Sequence, residues 1–346
     1  MPTVTVSSLH LEHQLGKGFF GAVFRAQHPL HGTVAVKVMS RAPTEDDTQW
    51  AARRDGLLAE GQHLKSAEDN RVVRVLDVVH DALADRVYLI LELCPGGSLQ
   101  SLYEVGPQPL GVVRDLITDA ALGLQCIHAR DMLHRDIKPA NILIGPDGRG
   151  KLGDFGLVTD ELVLGYASAA GYNDHLAYEV WHTGLTSVRS DIWALGMTAF
   201  RMLHGELFYL SKVEPPRYDI AKGRFAASLA WLEHIPAEWQ RFIRKCLHDN
   251  EESRYQSAHQ VLQALAALPV EPSWTCMYTP GTTTWIREKN SRRIEVVRSV
   301  LSNRQHQWTA TSYPLGGSGR ARTLDSSAGA VAAKEASSGL RKFLTS

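Results

Sequence analysis

The stretch "HRDIKPANIL", residues 134–143, followed by "DFG" at 154–156, governs how the rest of this chain is read. It sets a carboxylate at Asp136, an ammonium at Lys138 and an amide at Asn141, with a second carboxylate at Asp154. Each group has its own competence. Asp136 can take a proton from an attacking hydroxyl, and Lys138 can neutralise anionic charge beside it. Asn141 offers a neutral oxygen and Asp154 an anionic one, the ligands that a hard cation such as Mg2+ accepts. A solvated turn before a strand would use the same residue types, but it leaves their joint spacing unexplained.

Upstream, "GKGFFGAV" places Gly16, Gly18 and Gly21 after a strand-like run. Glycines let a backbone approach phosphate oxygens and aim N–H groups at them, although a lone pattern of this kind serves equally as a hairpin turn. A dinucleotide site would need a helix next. The following "AVFRAQHPLHGTVAVKV" alternates as strands, which excludes that reading. Lys37 closes the run "VAVK" and can return beneath the glycine loop, and Glu60 on the next helical stretch, 49–66, can pair with it. Alone, each would pass for a surface residue.

Together these residues resemble the protein kinase family of the eukaryotic (Hanks) type, which has bacterial members. The likeness covers about residues 8–268. It implies an α+β, bilobal fold: a small β-rich ATP-binding lobe (1–93), a helical catalytic lobe (94–268), and beyond them a basic extension (269–346) of small α/β character. By that resemblance Gly16, Lys17, Gly18 and Gly21 cover the phosphates of ATP. Val23, Ala35 and Leu143 enclose the adenine, and Leu91 leads into a hinge of Glu92, Leu93 and Cys94. Lys37 holds the phosphates with Glu60 behind it, Asp136 is the catalytic base with Lys138 its companion, and Asn141 and Asp154 bind Mg2+, with Mn2+ an alternative. Lys138 in "HRDIKPAN" matches the Ser/Thr branch. Asp191 in "SDIWALG" corresponds to the anchor of the catalytic loop, and Arg254 to the partner of Glu179. The implied activity is transfer of the γ-phosphate of ATP to a protein Ser or Thr hydroxyl, with autophosphorylation.

The segment "GYNDHLAYE", 171–179, departs from the family pattern. Tyr172 stands where a threonine is usual, His175 for a tyrosine and Tyr178 for a proline, so an atypical substrate platform is expected. Residues 154–179 contain no Lys or Arg, while Asp160 and Glu161 set acidic charge in this segment and Thr159, Tyr166, Ser168 and Tyr172 offer hydroxyls for modification. A nucleotide-gated binding module without turnover is the competing reading, opposed by the complete set Lys37, Asp136, Asn141 and Asp154.

The chain of 346 residues has no formal net charge, yet residues 270–346 carry 11 Lys+Arg against 5 Asp+Glu. This extension suggests a hairpin around Pro280-Gly281, a capped basic helix in "SRRIEVVRSVLSN", a strand in "QHQWTATSY", a flexible "PLGGSGRARTLDSS" and a last helix. Its basic residues and flanking Trp285 and Trp308 fit docking on the acidic kinase domain or a protein partner, with nucleic acid the weaker alternative. "SDIWALGMTAFRMLHG" reads as a helix capped by Ser190. Four scattered cysteines imply neither a disulfide framework nor a zinc site, and no apolar run reaches the ~20 residues of a membrane helix. A cytoplasmic protein without signal peptide or membrane partner is expected.

Overall fold

A computed structural model describes residues 9–18, 21–66, 69–153, 173–213, 223–302, 304–316 and 319–346. Strands β1 (His10–Gly18), β2 (Gly21–His28) and β3 (Gly32–Ser40) precede helix α1 (Asp47–Ser66), and β4 (Val75–Asp81) and β5 (Arg86–Glu92) follow it. They form an antiparallel sheet in the order β1-β2-β3-β5-β4. Side chains alternate across a strand. Val34 and Val36 join Ala26, Tyr88 and Ile90 on one face, whereas Met39 packs with Trp50, Leu57, Val87 and Leu89 on the other, under α1. The same alternation puts Ala35 and Lys37 on the α1 face.

The second unit is helical. It contains α2 (Leu99–Val105), α3 (Leu110–His128), the short strands β6 (Ile142–Ile144) and β7 (Gly150–Leu152), then α4 (Tyr178–Thr183), α5 (Val188–His204), α6 (Glu206–Lys212), α7 (Ala237–Cys246) and α8 (Ala258–Ala266). Strand β7 ties the units together, with Val73 N–H on Leu152 O at 2.7 Å and Leu152 N–H on Arg71 O at 2.8 Å. Helix α5 is buried along nearly its whole length. Its cap is Ser187, not Ser190. The Ser187 hydroxyl accepts from the Arg189 and Ser190 N–H groups, and the Ser190 hydroxyl takes the Ser187 N–H in return. That reciprocal box starts the helix three residues earlier than its apolar periodicity suggests.

The extension is a five-stranded antiparallel meander, β8 (Thr275–Tyr278), β9 (Thr282–Lys289), β10 (Arg292–Ser302), β11 (Gln305–Pro314) and β12 (Arg322–Ser326), followed by α9 (Ala333–Leu344). The expected basic helix over "SRRIEVVRSVLSN" is instead β10. Asn290 and Ser291 have φ of 52° and 57°, the pair of left-handed residues that a tight two-residue hairpin requires. Ile294, Val296, Val297 and Val300 then supply β-branched side chains. Within the stretch read as flexible, residues 322–326 pair with Thr309–Ser312 of β11.

Trp274, Cys276, Trp285, Val296, Trp308 and Leu340 of the extension share one apolar core with α3, α5 and α7. Trp285 Nε1–H donates to His234 Nδ1 at 2.9 Å. Glu233 accepts from Arg298 and, at 2.9 Å, from the Ser337 hydroxyl. Several of the basic residues are engaged internally: Arg287 lies over the Trp274 ring, Arg292 bonds Ser312 and Arg293 pairs with Glu295. Among the described residues, all four cysteines are free thiols and no helix is long and apolar enough to cross a membrane.

Candidate active site

Cross-strand register assembles the upper half of the cleft. Gly16 faces Val23, Lys17 faces Ala22 and Gly18 faces Gly21. Val23 is opposite Lys37, and Ala35 is opposite Leu91. Opposed residues share a face, so Val23, Ala35, Lys37 and Leu91 line one surface beneath the glycine hairpin. A Cβ on Gly21 would lie 2.2 Å from Val38 O, so only glycine closes this turn. Among the described residues nothing lies within 4 Å of where a Cβ on Gly16 would stand. Lys37 is only 4% exposed. Glu60 falls on α1, but its side chain lies outside the described residues.

Glu92 ends β5 and is pinned from both units. Its Oε1 accepts Lys151 Nζ at 2.7 Å and Arg74 N–H at 2.8 Å. Burial pushes the neighbouring Cys94 thiol up to about 11, helped by the Glu92 charge. Leu143 approaches from β6, where it pairs with Lys151 and bridges Ser98.

Asp191 on α5, 1% exposed, organises the lower half. Its Oδ2 accepts the His134 N–H and its Oδ1 the Arg135 N–H, both at 2.9 Å, and His128 Nε2 meets Oδ2 at 2.9 Å. Arg135 sits at φ 68°, a region costly for a side-chain-bearing residue. The two bonds to Asp191 hold it there. His134 Nε2 bonds Gly153 O at 3.2 Å and its Nδ1 accepts the Asp136 N–H at 3.3 Å. A carbonyl can only accept, so this ring carries its proton on Nε2.

The loop so held delivers Asp136. Its Oδ2 receives Lys138 Nζ at 2.8 Å and Asn141 Nδ2 at 2.6 Å, and Asn141 Nδ2 also donates to Asp136 O at 2.8 Å. Both Asn141 donations fix its amide orientation and turn Oδ1 away from Asp136, as a cation ligand must be. Asp154, the other expected ligand, lies outside the described residues, as do Tyr172 and residues 159–168.

The segment after them is firmly attached. Arg254, 2% exposed, forks onto Glu179 through two 2.7 Å bonds. Tyr209 OH donates to Asp174 at 2.9 Å, and Arg201 Nη1 bonds His175 Nε2 at 2.8 Å. Burial, then the charges of Arg201 and Lys138, keep His175 neutral. Sequence reading missed Arg201, Tyr209 and Lys151. Only Lys151 left a signal, a charged residue alternating into the strand that leads to Asp154.

A protein kinase domain model matches residues 9–265. Mitogen-activated protein kinase kinase kinase 3 of Arabidopsis thaliana is 33% identical over 258 residues, covering 72% of this chain and 39% of that protein. Serine/threonine-protein kinase pkn2 of Myxococcus xanthus is 29% identical over 285 residues, 77% of this chain and 33% of that protein. Cell division control protein 7 of Schizosaccharomyces pombe is 33% identical over 265 residues, 74% of this chain and 24% of that protein. The chain thus spans well under half the length of these relatives.

Proposed function

Because the chain belongs to the protein kinase domain family, we propose that it transfers the γ-phosphate of ATP to serine or threonine hydroxyls of proteins, itself included. The observation that carries this reading is the convergence on Asp136 Oδ2 of Lys138 Nζ and Asn141 Nδ2, on a loop suspended from buried Asp191. Asp136 takes the substrate hydroxyl proton as that oxygen bonds to the γ-phosphorus, the bond to the β–γ bridging oxygen breaks, and ADP departs. Lys138 offsets the charge in flight. Lys37, held in the interior of the sheet, faces the α- and β-phosphates, and Gly16, Lys17, Gly18 and Gly21 cover them. Val23, Ala35, Leu91 and Leu143 enclose the adenine against the hinge at Glu92 and Cys94. Glu60 backs Lys37.

Asn141 Oδ1 and Asp154 would hold Mg2+ or Mn2+, which when bound neutralises phosphate charge. Lobes at 1–93 and 94–268, with 269–346 as a docked extension, belong to the same proposal. The bonds from Trp285, Arg298 and Ser337 to His234 and Glu233 support docking. A cytoplasmic setting accords with four free thiols.

The test is incubation with Mg2+, ATP and a mixed protein substrate, followed by mass spectrometry. Phosphate on Ser or Thr is expected. Nucleotide binding with no transfer to any protein would refute the proposal.

A further inference from the structure

Arg287 differs from the arginines of the extension that bond their neighbours. It belongs to β9, on the face that also carries Thr283 and Trp285, and its guanidinium carbon lies 4.6 Å from the centroid of the Trp274 ring. The side chain makes no hydrogen bond and no ion pair among the described residues. Of its three nitrogens only Nε is buried without a partner, so Nη1 and Nη2 present donors that a ligand can reach. Burial is the leading influence on its pKa and lowers it, while Glu271 opposes this only through space.

Arg287 lines a cavity of about 410 Å3 together with Lys289, Ser273 and Glu271. Lys289 comes two residues later in the strand, hence on the same face and about 7 Å along it. It is exposed, and its side chain bonds none of the described residues. Glu288, between them, falls on the opposite face of the strand, across from Arg293. Ser273 gives its N–H to Glu271 Oε2 at 2.8 Å and keeps its hydroxyl for another acceptor. Ser346 closes the wall, its own hydroxyl on Phe343 O.

A guanidinium taken partly out of water usually meets a carboxylate or phosphate, because two-pronged, charge-assisted bonds offset its desolvation. Here the Trp274 ring supports the charge and the outer donors stay uncommitted. A second cation on the same face suits a dianion better than a carboxylate, and a phosphate monoester carries close to two charges at pH 7. The cavity has the size of a small-molecule site. That is more than a lone phosphate fills, and enough for a phosphorylated side chain with its main chain.

We propose that Arg287 and Lys289 form a binding site for a phosphorylated serine or threonine carried on a protein segment. The guanidinium forks onto two phosphate oxygens, Lys289 meets a third, and the Ser273 hydroxyl donates beside them. All of these residues lie beyond residue 265, where the kinase domain match ends. Binding needs no turnover, so failure here leaves the phosphotransfer reading standing.

The experiment titrates the full chain, without ATP, against a fluorescent peptide pool of random sequence around one phosphoserine, and against the same pool with serine. Anisotropy should show the phosphoserine pool bound at least ~10-fold more tightly, the size of one charge-assisted bond. The difference should shrink as salt rises. Lys289→Glu, at an exposed side chain that the fold does not use, should remove it. Arg287→Gln should do the same, and Arg287→Lys, which keeps the charge without the fork, should lose most of it. Equal binding of the two pools by the wild type would overturn the proposal. So would a phosphoserine preference that survives both Lys289→Glu and Arg287→Gln, since its site would then lie elsewhere, the catalytic cleft included. Inorganic phosphate that displaces the pool at a concentration matching the Kd of the phosphoserine pool would overturn the protein-borne ligand and assign the site to free phosphate.

Discussion

Replacing Arg254 by alanine removes more than one bond. Its guanidinium makes two 2.7 Å charge-assisted bonds to Glu179, a third of 2.6 Å from Nε to His248 O, and a fourth of 3.2 Å to Arg189 O. The arginine side chain is wholly buried and that of Glu179 keeps 17% exposure. Breaking a fully buried pair costs ~3–5 kcal/mol, because the surviving charge is stranded. Water can reach Glu179 in part, which places the loss near the lower end, about 3 kcal/mol. For a domain of roughly this size each kcal/mol lowers Tm by ~2–4 °C, so Arg254→Ala should melt about 6–12 °C early in differential scanning fluorimetry. The double variant with Glu179→Ala strands no charge and should lose clearly less than the sum of the single variants. Glu179 closes the segment bearing Asp174 and His175, so activity should fall with stability. An unchanged Tm, or strict additivity in the double variant, would refute this account of the pair.

Lys151 links the end of β5 to the strand leading to Asp154, so Lys151→Met should raise the KM for ATP several-fold and reduce the Tm gain given by ADP, while Lys151→Arg keeps both; unchanged nucleotide affinity would contradict the link. Burial depresses His204 and His234 to about 3, against ~6.5 in the unfolded chain. Between those values the unfolded state binds more protons, so stability should fall as pH drops through that window, by up to ~1.4 kcal/mol per pH unit for each histidine. Urea titrations at pH 7 and pH 5 should show it, with a shallower decline in His234→Gln; equal declines would count against the assignment. With its thiol pushed up to about 11, Cys94 should resist iodoacetamide at pH 8 in the folded chain and react quickly in urea. Rapid alkylation of folded protein would contradict the buried setting.

The part of the candidate site that the structure brings together around Asp136 is local in sequence. Asp136, Lys138 and Asn141 span six residues, a joint spacing that a solvated turn leaves unexplained, and the family likeness supplied their roles. The Arg254–Glu179 contact joins residues 75 apart and was reachable only through family likeness. The packing of Arg201 between Tyr103 and Tyr209 was invisible, since no sequence pattern connects α2 and α6 to α5. In the extension, β10 differs from the expected capped basic helix, and the decisive feature is a two-residue turn at Asn290-Ser291. Likewise β12 has no apolar alternation and pairs with β11 through its backbone.

In the proposed reaction Asp136 acts as the base after nucleotide is bound. The most direct measurement compares wild type and Asp136→Ala for ADP binding and for phosphate transfer from ATP to Ser or Thr. The geometry predicts that Asp136→Ala still binds ADP, with a Tm gain close to that of wild type, while transfer falls by at least ~100-fold. Transfer near the wild-type rate in that variant would contradict the assignment of the catalytic loop.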